Sequence, residues 1–566
     1  MSRLTLMPLL LSAAIATPTI TVDEIEPGMK GYGLSVFSGN KVERFEVEVI
    51  DVMHDAWPDS DMILARCTGK GLENTGIIAG MSGSPVYFDD RLAGAVAYGW
   101  NFSKEPIGGI TPIEEMLAVW DIDTLGAAPS GDAPAPSRRS GYGFSTLSVP
   151  VALSGYRPGL ADIIGPTLED YGLLPVAATG ARDGSAGVHP DSVLVPGGPV
   201  GVILADGDVK LSAIGTVTHR EGNRILGFGH PMFQAGTAEM PMSGGIIHTV
   251  MPSVASSFKL FSTTDIVGTV TQDRLPAIGG VIGPKPAMLP VTIELNSPTV
   301  TKKYSYDVLR MRSLSGIIAA VGIADIVYAS QGSFEEMSLD ARMTVGIEDT
   351  VELEIRHRFS GEDPAAPLFQ TALYELNSLF TNRFRPVRVT GIEFDLDFRP
   401  GDRVLTIEGV RPARKKVSPG EELAVKLDLR DQDGRRTEFE TEIPIPRTAP
   451  EGVLRIAVAS SDSMLYREAM RVPSLTEPST LSGLLRLLER TGRENSLVIA
   501  GYIDRPGLTI RDRELPAPPA SLLAVLGNQA SDGAVGMTME SPLFRLERDM
   551  DAVVSGVYEI ELEVRR

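Results

Sequence analysis

Thr75-Gly76-Ile77-Ile78-Ala79-Gly80-Met81-Ser82-Gly83-Ser84-Pro85-Val86-Tyr87 sets glycines, serines and a proline between two apolar runs. On composition this is a turn between strands, since those residues supply the backbone angles that turns need. Chemistry offers a second reading. A serine attacks only when a base takes its proton and fixed donors receive the charge on the attacked carbonyl oxygen. Gly80 and Gly83 would let the loop fold tightly enough for the Gly80 and Ser82 amides to point at one oxyanion. Ser84 shares the loop but falls after the second glycine.

The flanks are strands. Val86-Tyr87-Phe88 and Leu92 to Tyr98 enclose Asp89-Asp90-Arg91, a tight hairpin that would hold the loop rigid. Upstream, Phe45, Val47 and Val49 alternate with Glu46 and Glu48, and Met62-Ile63-Leu64-Ala65 is a buried run. Downstream, Thr111-Pro112-Ile113-Glu114 predicts a helix running to Trp120, with Thr111 as N-cap, Pro112 at the first helical position and Glu114 reaching back.

With 566 residues the chain exceeds one core, and 58 glycines with 41 prolines favour short strands and turns. A mainly β protein of several domains is expected. The net charge of -21 without a basic stripe argues against nucleic acid as partner. Cys67 is the single cysteine, so there is neither an internal disulfide nor a cysteine-based zinc cluster. His54, His189, His219, His230, His248 and His357 lack the spacing of a metal site, and neither metal nor cofactor is expected. Arg3, the apolar run Leu4 to Ala16 and the small residues Ala14 and Ala16 read as a signal peptide over 1–16. Export to a bacterial periplasm or the cell exterior follows. Gly316 to Tyr328 is too short to span a bilayer and is expected as a core helix.

The expected partition is a serine half over 23–125, a linker over 126–143 and a second half over 144–300 containing His230. An α+β segment comes next over 301–385, then an immunoglobulin-like β-sandwich over 386–470 and a small α/β region over 471–566. Strands are predicted at Val200 to Leu204, Ala213 to Thr218 and Arg224 to Phe228, the last two joined through Glu221-Gly222-Asn223. Ile392, Phe394, Leu396 and Phe398 suggest the first strand of the sandwich, and Phe369, Ala372, Leu376 and Phe380 recur at helical spacing.

The serine loop and the run Leu92-Ala93-Gly94-Ala95-Val96 resemble the nucleophile segment of the SpoIVB sporulation serine peptidase family. Pro27-Gly28-Met29-Lys30-Gly31 and Val42 to Ile50 are similar too. So is a second block, Ile214-Gly215-Thr216-Val217-Thr218 with Leu226-Gly227-Phe228-Gly229-His230. The resemblance implies a chymotrypsin-like pair of β-barrels, Ser82 as nucleophile, His230 as base and cleavage of a polypeptide through an acyl-enzyme. The chain departs from the family in three ways. Ser82 precedes His230, as though two half-barrels were exchanged; Thr68 stands where the family has an aspartate; and no PDZ domain is recognisable. Asp61 is then the expected third member, with Asp273 as alternative. His54, close to Asp55 and Asp61, is a rival base. The opposing expectation is a catalytically degenerate fold serving as a cell-envelope scaffold, with the C-terminal domains binding an envelope protein.

Overall fold

The computed structural model describes residues 17–57, 60–100, 102–122, 145–153, 158–177, 194–330, 337–349, 352–510, 513–527 and 535–565. The segments expected as signal peptide (1–16) and linker (126–143), and His189, lie outside the described residues. Two compact units divide the chain: Met1–Leu204 with Lys210–Ala287, and Ala205–Val209 with Met288–Arg566. The protein is mainly β.

In the first unit, alternation of large apolar residues with glutamates produces strands with one dry face, and closing them removes their free edges. The strands are β1 (Lys30–Val36), β2 (Val42–Trp57), β3 (Ser60–Thr68), β4 (Pro85–Phe88), β5 (Arg91–Gly99) and β6 (Ile107–Pro112). They run in the order β4-β1-β2-β3-β6-β5, and β4 pairing with β5 closes a six-stranded antiparallel barrel. Phe45, Val47, Ile63, Val86, Phe88, Val96 and Ile110 fill it. Each such side chain contributes about 1.5–3 kcal/mol on burial. Asp89 and Asp90 take φ of 50° and 57°, the left-handed pair that a two-residue hairpin turn requires.

Beyond β7 (Ser145–Thr146), β8 (Val149–Leu153) and β9 (Leu173–Ala177) come β10 (Pro199–Gly207), β11 (Leu211–Glu221), β12 (Arg224–Gly227), β13 (Gly236–Met251), β14 (Phe258–Arg274) and β15 (Ala277–Ile282). The order β10-β13-β14-β15-β12-β11, with β10 also paired to β11, makes a second six-strand ring. The two rings meet where Tyr87, Leu92, Ala95 and Met116 pack with Leu226 and Ala277.

The expected helix start after β6 is corrected. The helix is Ile113–Ala118 with Pro112 at its N-cap and no side-chain cap. Thr111 gives its hydroxyl to the Gly229 carbonyl at 2.6 Å, and Glu114 accepts the Val22 amide at 2.8 Å. Longer-range partners outcompeted the local ones.

In the second unit, β16 (Leu289–Asn296) pairs with β17 (Thr301–Val308) and runs parallel to Val389–Pro400. That last strand, expected from its alternation to open a sandwich, therefore belongs to this sheet, where it also pairs with Met337–Ile347. The apolar segment is a helix, Ser315–Ser330, buried from Ser315 to Tyr328, and a second helix covers Ala365–Phe380. Further on, a four-stranded and a five-stranded sheet share one core that includes Leu423, Leu427, Ile456, Ile499 and Leu562. Their strands start at Val404 and include the C-terminal Val557–Val564. No helix among the described residues is long and apolar enough to cross a membrane.

Candidate active site

The Gly80–Pro85 loop enters the first barrel at β4, with Gly80 and Gly83 at φ of 96° and 93°. Gly83 is required for space as well. A Cβ there would lie 2.0 Å from the Thr216 carbonyl oxygen and 2.4 Å from the Phe228 nitrogen. The serine loop therefore rests against β11 and the segment that leads into His230, far away in sequence.

Every carbonyl of the loop is engaged. That of Ala79 accepts the Lys259 amide at 3.0 Å, and that of Met81 accepts the Ser84 amide at 2.8 Å. Gly80 and Ser82 are both served by Thr216, through its hydroxyl at 3.0 Å and its amide at 2.8 Å. The Gly83 carbonyl takes the Thr218 hydroxyl at 2.8 Å. On the donor side, the Gly83 amide bonds Val96 and the Met81 amide bonds Ile78. The Gly80 and Ser82 amides donate to nothing among the described residues. In a trans peptide the N–H points opposite to the C=O of the same plane, so fixing the Ala79 and Met81 carbonyls also fixes the direction of the Gly80 and Ser82 amides. The Ser82 side chain is buried, and its hydroxyl makes no hydrogen bond among the described residues.

His230 follows two left-handed residues, Phe228 at φ 65° and Gly229 at φ 68°. Gly229 packs on β5, its Cβ position 3.2 Å from the Cβ atoms of Ala95 and Ala97, and Thr111 holds its carbonyl. The His230 ring is buried, edge-on to Phe228 with centroids 6.1 Å apart. Its Nδ1 lies 2.7 Å from the Pro231 carbonyl oxygen. A carbonyl only accepts, so Nδ1 carries a proton, and whenever the ring is neutral its lone pair lies on Nε2, the tautomer a general base uses.

Asp61, the expected third member, is engaged with its own hairpin. Its carboxylate bonds the His54 ring at 3.1 Å and the Asp55 amide at 2.9 Å, where β2 and β3 meet. The His54 side chain is 62% exposed. Asp273, by contrast, is fully buried beside the loop that follows His230. It accepts the amides of Met232 at 2.8 Å, Phe233 at 2.7 Å and Ala235 at 3.2 Å. Burial raises its pKa against the pull of these amides.

Lys259 carries no signal in the sequence. Its stem lies along Gly80, and its buried amine bonds the Ser35 hydroxyl at 2.9 Å and reaches Thr216 Oγ1 at 3.5 Å. Ser84 in turn donates to Ser35 at 3.0 Å. Burial pulls the amine down to about 7. Phe258-Lys259-Leu260-Phe261 offers alternation two equal faces, and the structure buries the one with lysine.

A cavity of about 270 Å³ opens beside the start of the loop, lined by Thr75, Ile77, Trp100, Lys104, Ser148 and Ser257 among others. Among the described residues no group of three His, Cys, Asp or Glu is placed to hold a metal ion. Cys67 is buried and its thiol is pushed up to about 12, which keeps it protonated and unreactive.

Residues 13–117 match the SpoIVB peptidase S55 family. The matched span carries the first barrel and Ser82, suggests serine-type peptidase activity and ends before His230. No curated protein and no solved structure matches the chain.

Proposed function

We propose that the first unit is a serine endopeptidase with a chymotrypsin-like pair of barrels, acting on a polypeptide outside the cytoplasm. One observation carries this reading. The loop that holds Ser82 spends all its carbonyls on fixed partners and leaves two amides, those of Gly80 and Ser82, without an acceptor among the described residues. Orphaned amides at a glycine-framed serine suit an oxyanion that forms only during reaction, and losing one such donor costs about 3 kcal/mol of transition-state stabilisation. The family match over the same segment supports the assignment.

In this scheme Ser82 Oγ attacks the scissile carbonyl carbon while His230 Nε2 takes the hydroxyl proton. The carbonyl oxygen becomes an anion held by the two amides. Collapse breaks the C–N bond, and the departing amine takes the proton back from His230. Water then repeats the sequence on the acyl ester, returning Ser82. Because the Ser82 hydroxyl is buried, the segments over it must part before substrate enters, and activity depends on that opening as well as on chemistry.

A fluorophosphonate probe tests the reading on the full chain. Wild type is expected to be labelled, Ser82→Ala to remain blank, and His230→Ala to react roughly a thousandfold more slowly. A wild-type chain that stays blank through prolonged exposure would point to the scaffold role instead.

A further inference from the structure

The imidazole of His230 has a backbone carbonyl on its Nδ1. That carbonyl belongs to the Pro231–Met232 peptide, and the amide of the same peptide donates to Asp273 Oδ1 at 2.8 Å. One planar group therefore stands between a buried carboxylate and the imidazole, with a hydrogen bond of 2.8 Å on one side and 2.7 Å on the other. Since C=O and N–H point in opposite directions across a trans peptide, the chain runs carboxylate, amide, carbonyl, imidazole without a break.

We infer that Asp273 is the positioning residue of His230 and acts through the Pro231–Met232 peptide, a deepening of the serine-peptidase reading that supplies the third member of its triad. Both carboxylate oxygens face N–H donors, Oδ1 that of Met232 and Oδ2 those of Phe233 and Ala235. An acid proton on either oxygen would meet a donor instead of an acceptor, so this arrangement is made for the anion. Negative charge at the amide end polarises the peptide and makes its carbonyl a stronger acceptor, as hydrogen bonds in chains strengthen one another. The carbonyl then holds the Nδ1–H tautomer and stabilises the imidazolium formed when Ser82 gives up its proton. Asp273 sits on β14 and both ring atoms and peptide lie in the segment after β12, so the relay is contained in the second ring. The other two amide bonds fix the curve of residues 232–235 and with it the plane of the relaying peptide.

The test uses the full chain, wild type and Asp273→Asn, with two readouts. Fluorophosphonate labelling of Ser82 is followed against pH, and nitrogen-15 NMR of labelled histidine reports the tautomer and titration of His230. The variant is expected to label roughly 10- to 100-fold more slowly on the plateau, and the acid limb is expected about one pH unit lower, because an anion linked to the ring favours its protonated form. A loss of packing alone would slow labelling without moving the limb. If the variant does not fold, the wild type suffices: the Met232 amide resonance must shift as His230 titrates. A labelled wild type with His230 titration unchanged in Asp273→Asn, or a Met232 amide blind to His230, overturns the relay and leaves the peptidase reading standing. A wild type that never labels while its Met232 amide follows His230 overturns the peptidase reading and leaves the relay intact.

Discussion

Lys259 in the first unit and His357 in the second are both shut away from water, yet among the described residues only His357 is given anions. Its Nε2 lies 2.8 Å from Glu375 and its Nδ1 2.7 Å from Glu494, with Glu375 itself buried. Burial alone would lower the imidazole's pKa, but the two glutamates outweigh it and carry the value up to about 10. Lys259 has hydroxyls for neighbours: β1 presents Ser35, β11 presents Thr216, and the serine loop presents the backbone of Gly80. With none of these ionisable, burial brings its amine to about 7. The second unit closes its charges into a stabilising cluster, whereas the first tolerates an unbalanced amine against the loop that carries Ser82. Local stability is given up beneath this loop.

The sharpest way to break the comparison is to remove a partner from the balanced cluster. Glu375→Ala leaves a buried imidazolium with one anion, and the second unit is expected to lose about 3–5 kcal/mol. Trp57, Trp100 and Trp120, the only tryptophans, all lie in the first unit. Urea unfolding followed by tryptophan fluorescence should therefore stay put while the far-ultraviolet dichroism transition moves. Lys259→Met does the reverse. Carrying the amine costs roughly 5 kcal/mol at most at pH 7 and below, offset in part by its hydrogen bonds. The variant should gain about 1–4 kcal/mol near pH 6 by the fluorescence transition, with the gain shrinking as pH rises.

The two side chains should also oppose each other across one pH window. For Lys259 the folded pKa of about 7 lies below the unfolded 10.5, so the unfolded chain binds more protons between them and the first unit gains stability as pH rises. For His357 the folded value of about 10 lies above the unfolded 6.5, so its stabilisation is complete below 6.5 and fades as pH climbs. Between pH 7 and 9, below the range where Cys67 and Tyr87 matter at about 12, the two transitions should move in opposite directions by about 1–2 kcal/mol. Parallel movement would refute the contrast. The smallest effect belongs to the exposed pair His54–Asp61, where His54→Ala should change stability by less than about 1 kcal/mol.

Features legible in the sequence were the local ones. Alternation marked the strands of the first barrel, and the glycines around Ser82 marked a loop with special backbone. The left-handed turn at Asp89-Asp90 and the buried helix at Ser315–Ser330 were equally plain. His230 is singled out by resemblance alone, since nothing in Gly229-His230-Pro231 announces a base. Pairing was beyond local pattern: Val389–Pro400 showed itself as a strand, but not that it would lie parallel to Leu289–Asn296. Local pattern alone could not choose between Asp61 and Asp273, and the hairpin sets Asp61 beside His54. Lys259 stayed hidden because no periodicity says which face of a closed strand meets a loop from another ring.

Thr216 and Thr218 come from the second ring, yet they hold the carbonyls of Gly80, Ser82 and Gly83 in the first. A nascent polypeptide that has emerged only as far as β6 already carries Ser82 but lacks the groups that fix its loop. On the proposed peptidase reading, competence arrives late in synthesis, when the threonines dock, and a truncated product would be inert.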